Sequence, residues 1–186
     1  LGDIVSSQPV YVRKAPFGYT DVGYAAFAES KALQERKGAV IVGANDGMLH
    51  AFNADTGAEM WAYVPTPVMP YLYRLADTNY GENHRYYVDG ALAVGDICAQ
   101  EACGEKTGAG WKTILVGGLG KGGKGYFALD ITDTTAPKFL WEFTATDDAD
   151  LGFTFGNPII TKVQDKWVVV FASGYNNGAG DGKGRV

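Results

Sequence analysis

Short runs of β-branched and aromatic residues, each bounded by Gly, Asp, Asn or Pro, recur along the whole chain. They cover residues 4–5, 9–12, 39–42, 48–52, 59–64, 85–88, 113–116, 125–129, 138–143, 157–161 and 166–171. Runs of this length with turn residues at both ends predict strands rather than helices. Two stretches carry the opposite signal. Residues 24–36, rich in Ala, Glu, Lys and Leu, predict a helix, and the proline-opened stretch 66–76 predicts a shorter one.

The runs repeat in a fixed order. Val40-Ile-Val-Gly leads through Asn45-Asp46-Gly47 to Met48-Leu-His-Ala-Phe52, and then through Asp55-Thr-Gly57 to a strand containing Trp61. Ile114-Leu-Val-Gly-Gly, a glycine loop, Gly125-Tyr-Phe-Ala-Leu-Asp130 and Phe139-Leu-Trp141 follow the same order, and a third copy begins at Val168. Each copy is preceded by a further strand with small residues at its start, making four strands per unit. Four-stranded units in series predict an all-β fold, a partial β-propeller of about two and a half blades, with one or two short helices in insertions. The predicted division is a first blade over about 1–65, an insertion over about 66–84, a second blade over about 85–145 and part of a third over about 155–186. A blade needs a neighbour on each side, so a partial propeller should leave a sheet edge uncovered.

Composition agrees with this reading. The 26 glycines in 186 residues are about twice the usual ~7% share, as expected for many glycine turns. A net charge of −5 argues against an electrostatically driven nucleic-acid or membrane surface. No apolar run is long enough for a transmembrane segment. Leu1-Gly2-Asp3 and Arg185-Val186 read as the ends of a piece cut from a longer polypeptide.

Cys98 and Cys103 are too few for a zinc site, and His50 and His84 lie far from both in sequence. A local disulfide closing a surface hairpin fits their spacing and implies an oxidising compartment; two reduced cysteines are the alternative.

Other motifs resolve into structural roles. Gly118 to Lys124 follows the P-loop spacing until Gly125 stands where Ser or Thr is needed, and Gly120 to Gly125 matches GxGxxG. Both motifs require a helix directly after the loop, whereas a strand is predicted there, so the stretch reads as an inter-strand loop with solvated lysines. The acidic run 147–152 lacks calcium-loop spacing, and 176–182 reads as a surface loop rather than a ligand shell. Asp46 reads as a turn residue and His50 as a hydrogen-bonded structural histidine. No nucleophile–base pair or paired-carboxylate signature occurs, so no catalytic, cofactor-binding or metal-ligating residue is assigned. Trp61 and Trp141 are expected to anchor packing between blades, with Asp46, Gly47 and Asp130 as anchors at the strand ends.

Leu1-Gly-Asp-Ile-Val-Ser-Ser-Gln-Pro-Val10, Gly43-Ala-Asn-Asp-Gly-Met-Leu-His-Ala-Phe52, His84-Arg-Tyr-Tyr-Val-Asp-Gly90, Val116 to Asp133 and Asp150-Leu-Gly-Phe-Thr-Phe-Gly-Asn-Pro-Ile159 together resemble the C-terminal, quinoprotein-like propeller of the type IV pilus tip-associated adhesins, the PilC/PilY family. The resemblance runs over nearly the whole chain and in the family's order. It implies a non-enzymatic, secreted protein at the pilus tip, outer membrane or cell surface of a Gram-negative bacterium. Such a protein supports pilus biogenesis against retraction, twitching motility and adhesion. The implied partners are pilins or minor pilins, the secretion machinery and a host-cell surface receptor. The resemblance also implies that calcium can bind the parent protein at an acidic loop in a later blade, so no calcium ligand is carried onto this segment. A periplasmic or outer-membrane propeller scaffold is the alternative, followed by a fragment of a quinone-dependent dehydrogenase, which should carry cofactor ligands and often a vicinal cysteine pair.

Overall fold

The computed structural model describes residues 2–98 and 103–177. Three antiparallel sheets follow one another along the chain. The first runs in the order β1 (Val10–Val12), β2 (Ala39–Gly43), β3 (Leu49–Asn53) and β4 (Glu59–Tyr63). The second repeats this meander with β5 (Leu92–Cys98), β6 (Trp111–Gly118), β7 (Gly125–Asp130) and β8 (Lys138–Thr144). The third pairs β9 (Ile159–Val163) with β10 (Lys166–Val170). The chain is an all-β, partial β-propeller. Among the described residues no further strand pairs with β9 or β10. The proposed strand start at 185–186 and part of the loop 176–182 lie outside the described residues.

Local chemistry explains the meanders. The β2–β3 turn uses Gly47 at φ 94°, a conformation that a β-carbon disfavours. The β9–β10 hairpin turns on Gln164 and Asp165, both at positive φ, the hand that a two-residue hairpin loop needs. The repeat extends to its irregularities. Register slips between Ala51 and Phe52 in the first sheet and between Ala128 and Leu129 in the second. Each bulge lies beside an Ala–Trp pair, Ala51 with Trp61 and Ala128 with Trp141.

Four sequence expectations need correction. Residues 24–36 form two short helices, α1 (Tyr24–Ala28) and α2 (Lys31–Gln34), instead of one. Ser30 adopts extended backbone between them, and its Oγ accepts the Leu33 N–H at 3.4 Å; a serine that caps a new helix competes with continuing the old one. Residues Thr66–Ala76 form a 3-10 helix, because Pro67 and Pro70 remove amide donors from the ladder. Residues 4–5 are exposed coil. Residues 85–88 are also not a strand: the Tyr87 N–H donates to the Asn45 side chain and the Val88 N–H to the Ala44 carbonyl, with no ladder to a neighbouring strand among the described residues.

The main core lies between the first two sheets. Ile41, Leu49 and Ala51 meet Leu115, Phe127 and Leu129 there, all essentially without exposure. A second cluster joins Ile114, Val116 and Ala128 to Ile160 and Val169 of the third sheet. A third gathers Tyr24, Phe27 and Leu33 around Trp111.

Candidate partner-contacting face

Two connecting segments cross between neighbouring sheets on one face. In the first, the Tyr87 N–H donates to Asn45 Oδ1 at 3.0 Å, and the Val88 N–H to the Ala44 carbonyl at 3.3 Å. The next residue already belongs to the other side: the Asp89 N–H donates to the Leu119 carbonyl at 3.3 Å. In the second crossing, Thr154 accepts the Leu119 N–H on Oγ1 at 2.9 Å and donates to the Gly125 carbonyl at 2.9 Å. Two residues earlier, the Gly152 N–H donates to the Ser173 carbonyl at 2.6 Å.

The glycine loop serves this crossing. Gly120–Gly122 makes one 3-10 turn and Gly125 opens β7, so no helix follows to receive a phosphate. A β-carbon on Gly122 would lie 1.7 Å from the Tyr87 carbonyl oxygen. The loop is glycine-rich because the crossing backbone lies directly against it.

Beside the crossing, the 3-10 helix, the glycine loop and the end of β8 enclose a cavity of about 700 Å³. Its walls include Pro67, Pro70, Tyr71 and Phe153, and its cations are Arg85 and Lys124. The Arg85 guanidinium stacks 3.9 Å above the Tyr71 ring, and its buried Nε–H has no hydrogen-bond partner. Lys124 Nζ donates to the Asn176 carbonyl at 2.6 Å. Nearby, Lys121 Nζ sits 4.2 Å over the Tyr86 ring. Glu142 and Asp147 also line the cavity, but Glu142 Oε1 already accepts from the Tyr63 hydroxyl at 2.6 Å and the Thr66 N–H at 2.8 Å, and Asp147 Oδ2 from the Thr144 N–H at 2.8 Å and the Thr144 hydroxyl at 3.0 Å. Burial, followed by the Glu142 carboxylate, pushes the Tyr63 phenol far above its usual range. On the same 3-10 helix, Tyr73 is 70% exposed and Met69 49%. A face with stacked cations, exposed aromatics and two carboxylates already engaged within the chain suits an acidic or aromatic segment of another chain.

Gly122, Gly123 and Lys124 of the glycine loop line this cavity; the cysteines, histidines and blade anchors singled out from the sequence do not. A disulfide joins Cys98 to Cys103, packed against the Trp111 cluster. The Trp61 indole N–H donates to the Thr134 carbonyl of the second sheet's β7–β8 connection at 2.8 Å. Trp141 packs with Ile160 and Val169 of the third. Asp46 Oδ1 accepts the Met48 N–H at 3.1 Å, and its Oδ2 lies 3.0 Å from His50 Nε2. A β-carbon on Gly47 would meet Leu72 Cδ2 at 2.2 Å. Asp130 Oδ1 accepts the Thr132 N–H at 3.0 Å, and Oδ2 pairs with Lys112 at 2.9 Å. Burial alone would raise the Asp130 carboxyl, but Thr132 and Lys112 outweigh it and hold it below the usual range. His50 has Glu59 Oε1 2.6 Å from Nδ1 as well as Asp46 on Nε2. His84 Nε2 lies 3.1 Å from Asp3 Oδ1.

One buried polar chain escaped the sequence reading. The Tyr24 hydroxyl donates to Asp96 Oδ2 at 2.8 Å, the Thr113 hydroxyl donates to Asp96 Oδ1 at 2.6 Å, and Arg36 Nη1 donates to Thr113 Oγ1 at 2.8 Å. Asp96 standing between Gly95 and Ile97 inside an apolar strand was the available signal, since a fully buried acid requires partners.

The family model for the PilY1 beta-propeller domain matches residues 1–186. The chain belongs to the PilY1 β-propeller family. It is 47% identical to a type IV pilus biogenesis factor PilY1 homolog of Xylella fastidiosa over 96% of its length, covering 14% of that protein. It is 40% identical to the type IV pilus biogenesis factor PilY1 of Pseudomonas aeruginosa over 95% of its length, covering 15% of that protein. Its fold superposes on the crystal structure of the Pseudomonas aeruginosa PilY1 C-terminal domain with a TM-score of 0.68 at 36% identity, over 90% of this chain and 32% of that one. The chain thus spans about one-seventh of the curated PilY1 relatives it matches. Among the described residues, no helix is long and apolar enough to cross a membrane.

Proposed function

We propose that this segment is part of a non-enzymatic type IV pilus biogenesis protein, secreted to the pilus tip or outer surface of a Gram-negative bacterium, where it opposes pilus retraction and supports twitching and adhesion. The observation that carries the reading is the match of the PilY1 propeller family along residues 1–186. The blade architecture supports a binding role, because the residues that imitate catalytic motifs are engaged elsewhere. The nucleotide-like glycines pack against a crossing backbone, and both ring nitrogens of His50 face carboxylates. On this reading the cavity between the 3-10 helix and the glycine loop receives an acidic segment of a pilin or minor pilin. Contact with the secretion machinery is assigned to the faces of the same propeller, and the calcium loop and host-cell adhesion to other parts of the parent protein.

The test is to shear and fractionate cells carrying the parent gene with Arg85→Ser plus Lys124→Gln, or with Tyr73→Ala. Surface pili should fall severalfold while the amount of the parent protein stays constant, and should return when retraction is genetically blocked. Parent protein recovered in the periplasm regardless of pili would overturn the assignment.

A further inference from the structure

Away from that face, β1 and β5 flank a second cavity of about 590 Å³, closed on one side by the chain after β1. Its size falls within the ~300–1,000 Å³ of small-molecule sites. Val10, Val12, Pro16, Phe17 and Val94 make the walls apolar. Three cations also line it, Arg13 and Lys14 from the exposed chain after β1, and Arg36.

Arg36 is the unusual one, with 5% exposure. Its Nε–H donates to the Arg13 carbonyl and its Nη1–H to Thr113 Oγ1. Its Nη2 is buried without a hydrogen-bond partner. Asp96 is nearby, but its two oxygens accept the Tyr24 and Thr113 hydroxyls. Among the described residues, no carboxylate lies within ion-pair distance of the Arg36 guanidinium. A buried guanidinium whose charge is met through a hydroxyl, with one arm unused, is costly to keep unless something else completes it. Burial pushes its pKa down from the usual arginine value. Arg13 is balanced at the surface by Asp55 at 3.1 Å, which leaves Lys14 and Arg36 to set the sign of the cavity.

We propose that this cavity binds a small apolar carboxylic acid, its hydrocarbon body against Val12, Phe17 and Val94 and its carboxylate beside Arg36, with Lys14 favouring its entry. An arginine fork matches a carboxylate in geometry as well as charge. The proposal does not depend on the pilus assignment, since it rests on the cavity and its cations alone.

The test uses the intact parent polypeptide with octanoate, octanamide and a short leucine-ended peptide in acid and amide forms, read by calorimetry and melting temperature. Octanoate is expected to bind saturably and at least tenfold more tightly than octanamide. Arg36→Met should remove that preference while leaving octanamide unchanged. If Arg36→Met does not fold, Lys14→Gln serves: it should weaken octanoate severalfold and flatten the salt dependence of binding. Equal binding of octanoate and octanamide would reduce the cavity to an apolar gap and overturn the proposal. Binding of the acid peptide without octanoate would overturn it in favour of a polypeptide terminus. No saturable binding by any probe at millimolar concentration would also sink it.

Discussion

His50 shows how one side chain can tie a blade together. It stands on β3 with Asp46 of the preceding turn on one nitrogen and Glu59 of β4 on the other. Burial favours its neutral form, but the two carboxylates outweigh burial and raise its pKa above 6.5. A raised folded-state pKa gives stability that is fully present below the unfolded value of about 6.5 and is lost as pH rises through the folded value. Chemical denaturation between pH 5 and 8.5 should therefore show the wild type losing stability toward the alkaline end. His50→Gln should flatten that slope. Gly47 is the complementary case, where no side chain fits. Gly47→Ala combines positive φ with a clash against Leu72, and should cost about 1–3 kcal/mol.

At the scale of elements, strands were legible wherever β-branched runs met strong turn residues, and the repeated Ala–Trp pairs show why. Each blade solves the same packing problem with the same bulge, so the pattern returns in the sequence. The failures have a different origin. Tyr86-Tyr87-Val88 carries strand-forming residues, but the Tyr87 and Val88 N–H groups donate to Asn45 and Ala44 beside the first sheet and the Asp89 N–H to Leu119 beside the second, a destination that no local pattern encodes. The helix over 24–36 broke where Ser30 found a better use as a cap; Ser30→Ala should cost about 1 kcal/mol. The Arg36–Thr113–Asp96–Tyr24 chain was hidden for a related reason, since Tyr24 and Asp96 are 72 positions apart. The cysteine pair was visible because both partners are local. Cys98→Ser with Cys103→Ser, or reduction of the wild type, should lower stability by about 2 kcal/mol on loop-closure entropy, as measured by urea denaturation.

Over the whole molecule, the sheets are joined by hydrogen bonds as well as by apolar contact. Thr154 is fully buried at the seam between the second and third sheets, and its hydroxyl satisfies both the Leu119 N–H and the Gly125 carbonyl. Thr154→Val keeps the volume but removes both hydroxyl bonds, leaving the Leu119 N–H and the Gly125 carbonyl only their 3.2 Å bond to each other, and should cost about 1–3 kcal/mol. Hydrogen exchange should show the Leu119 amide losing protection well before the β2–β3 ladder. The stretch between β1 and α1 makes a longer connection. It leaves the first sheet, gives the Val22 carbonyl to the Trp111 indole N–H at 2.9 Å in the second, and reaches the third, where Asp21 meets Lys162 at 2.5 Å and Tyr19 lies 5.4 Å from Trp167. Tension drawn along the backbone of such a polypeptide would meet the sheets in parallel. The third sheet cannot be peeled from the second without also dragging on a strap rooted in the first, so the segment should yield to force as one block, in a single step, rather than sheet by sheet.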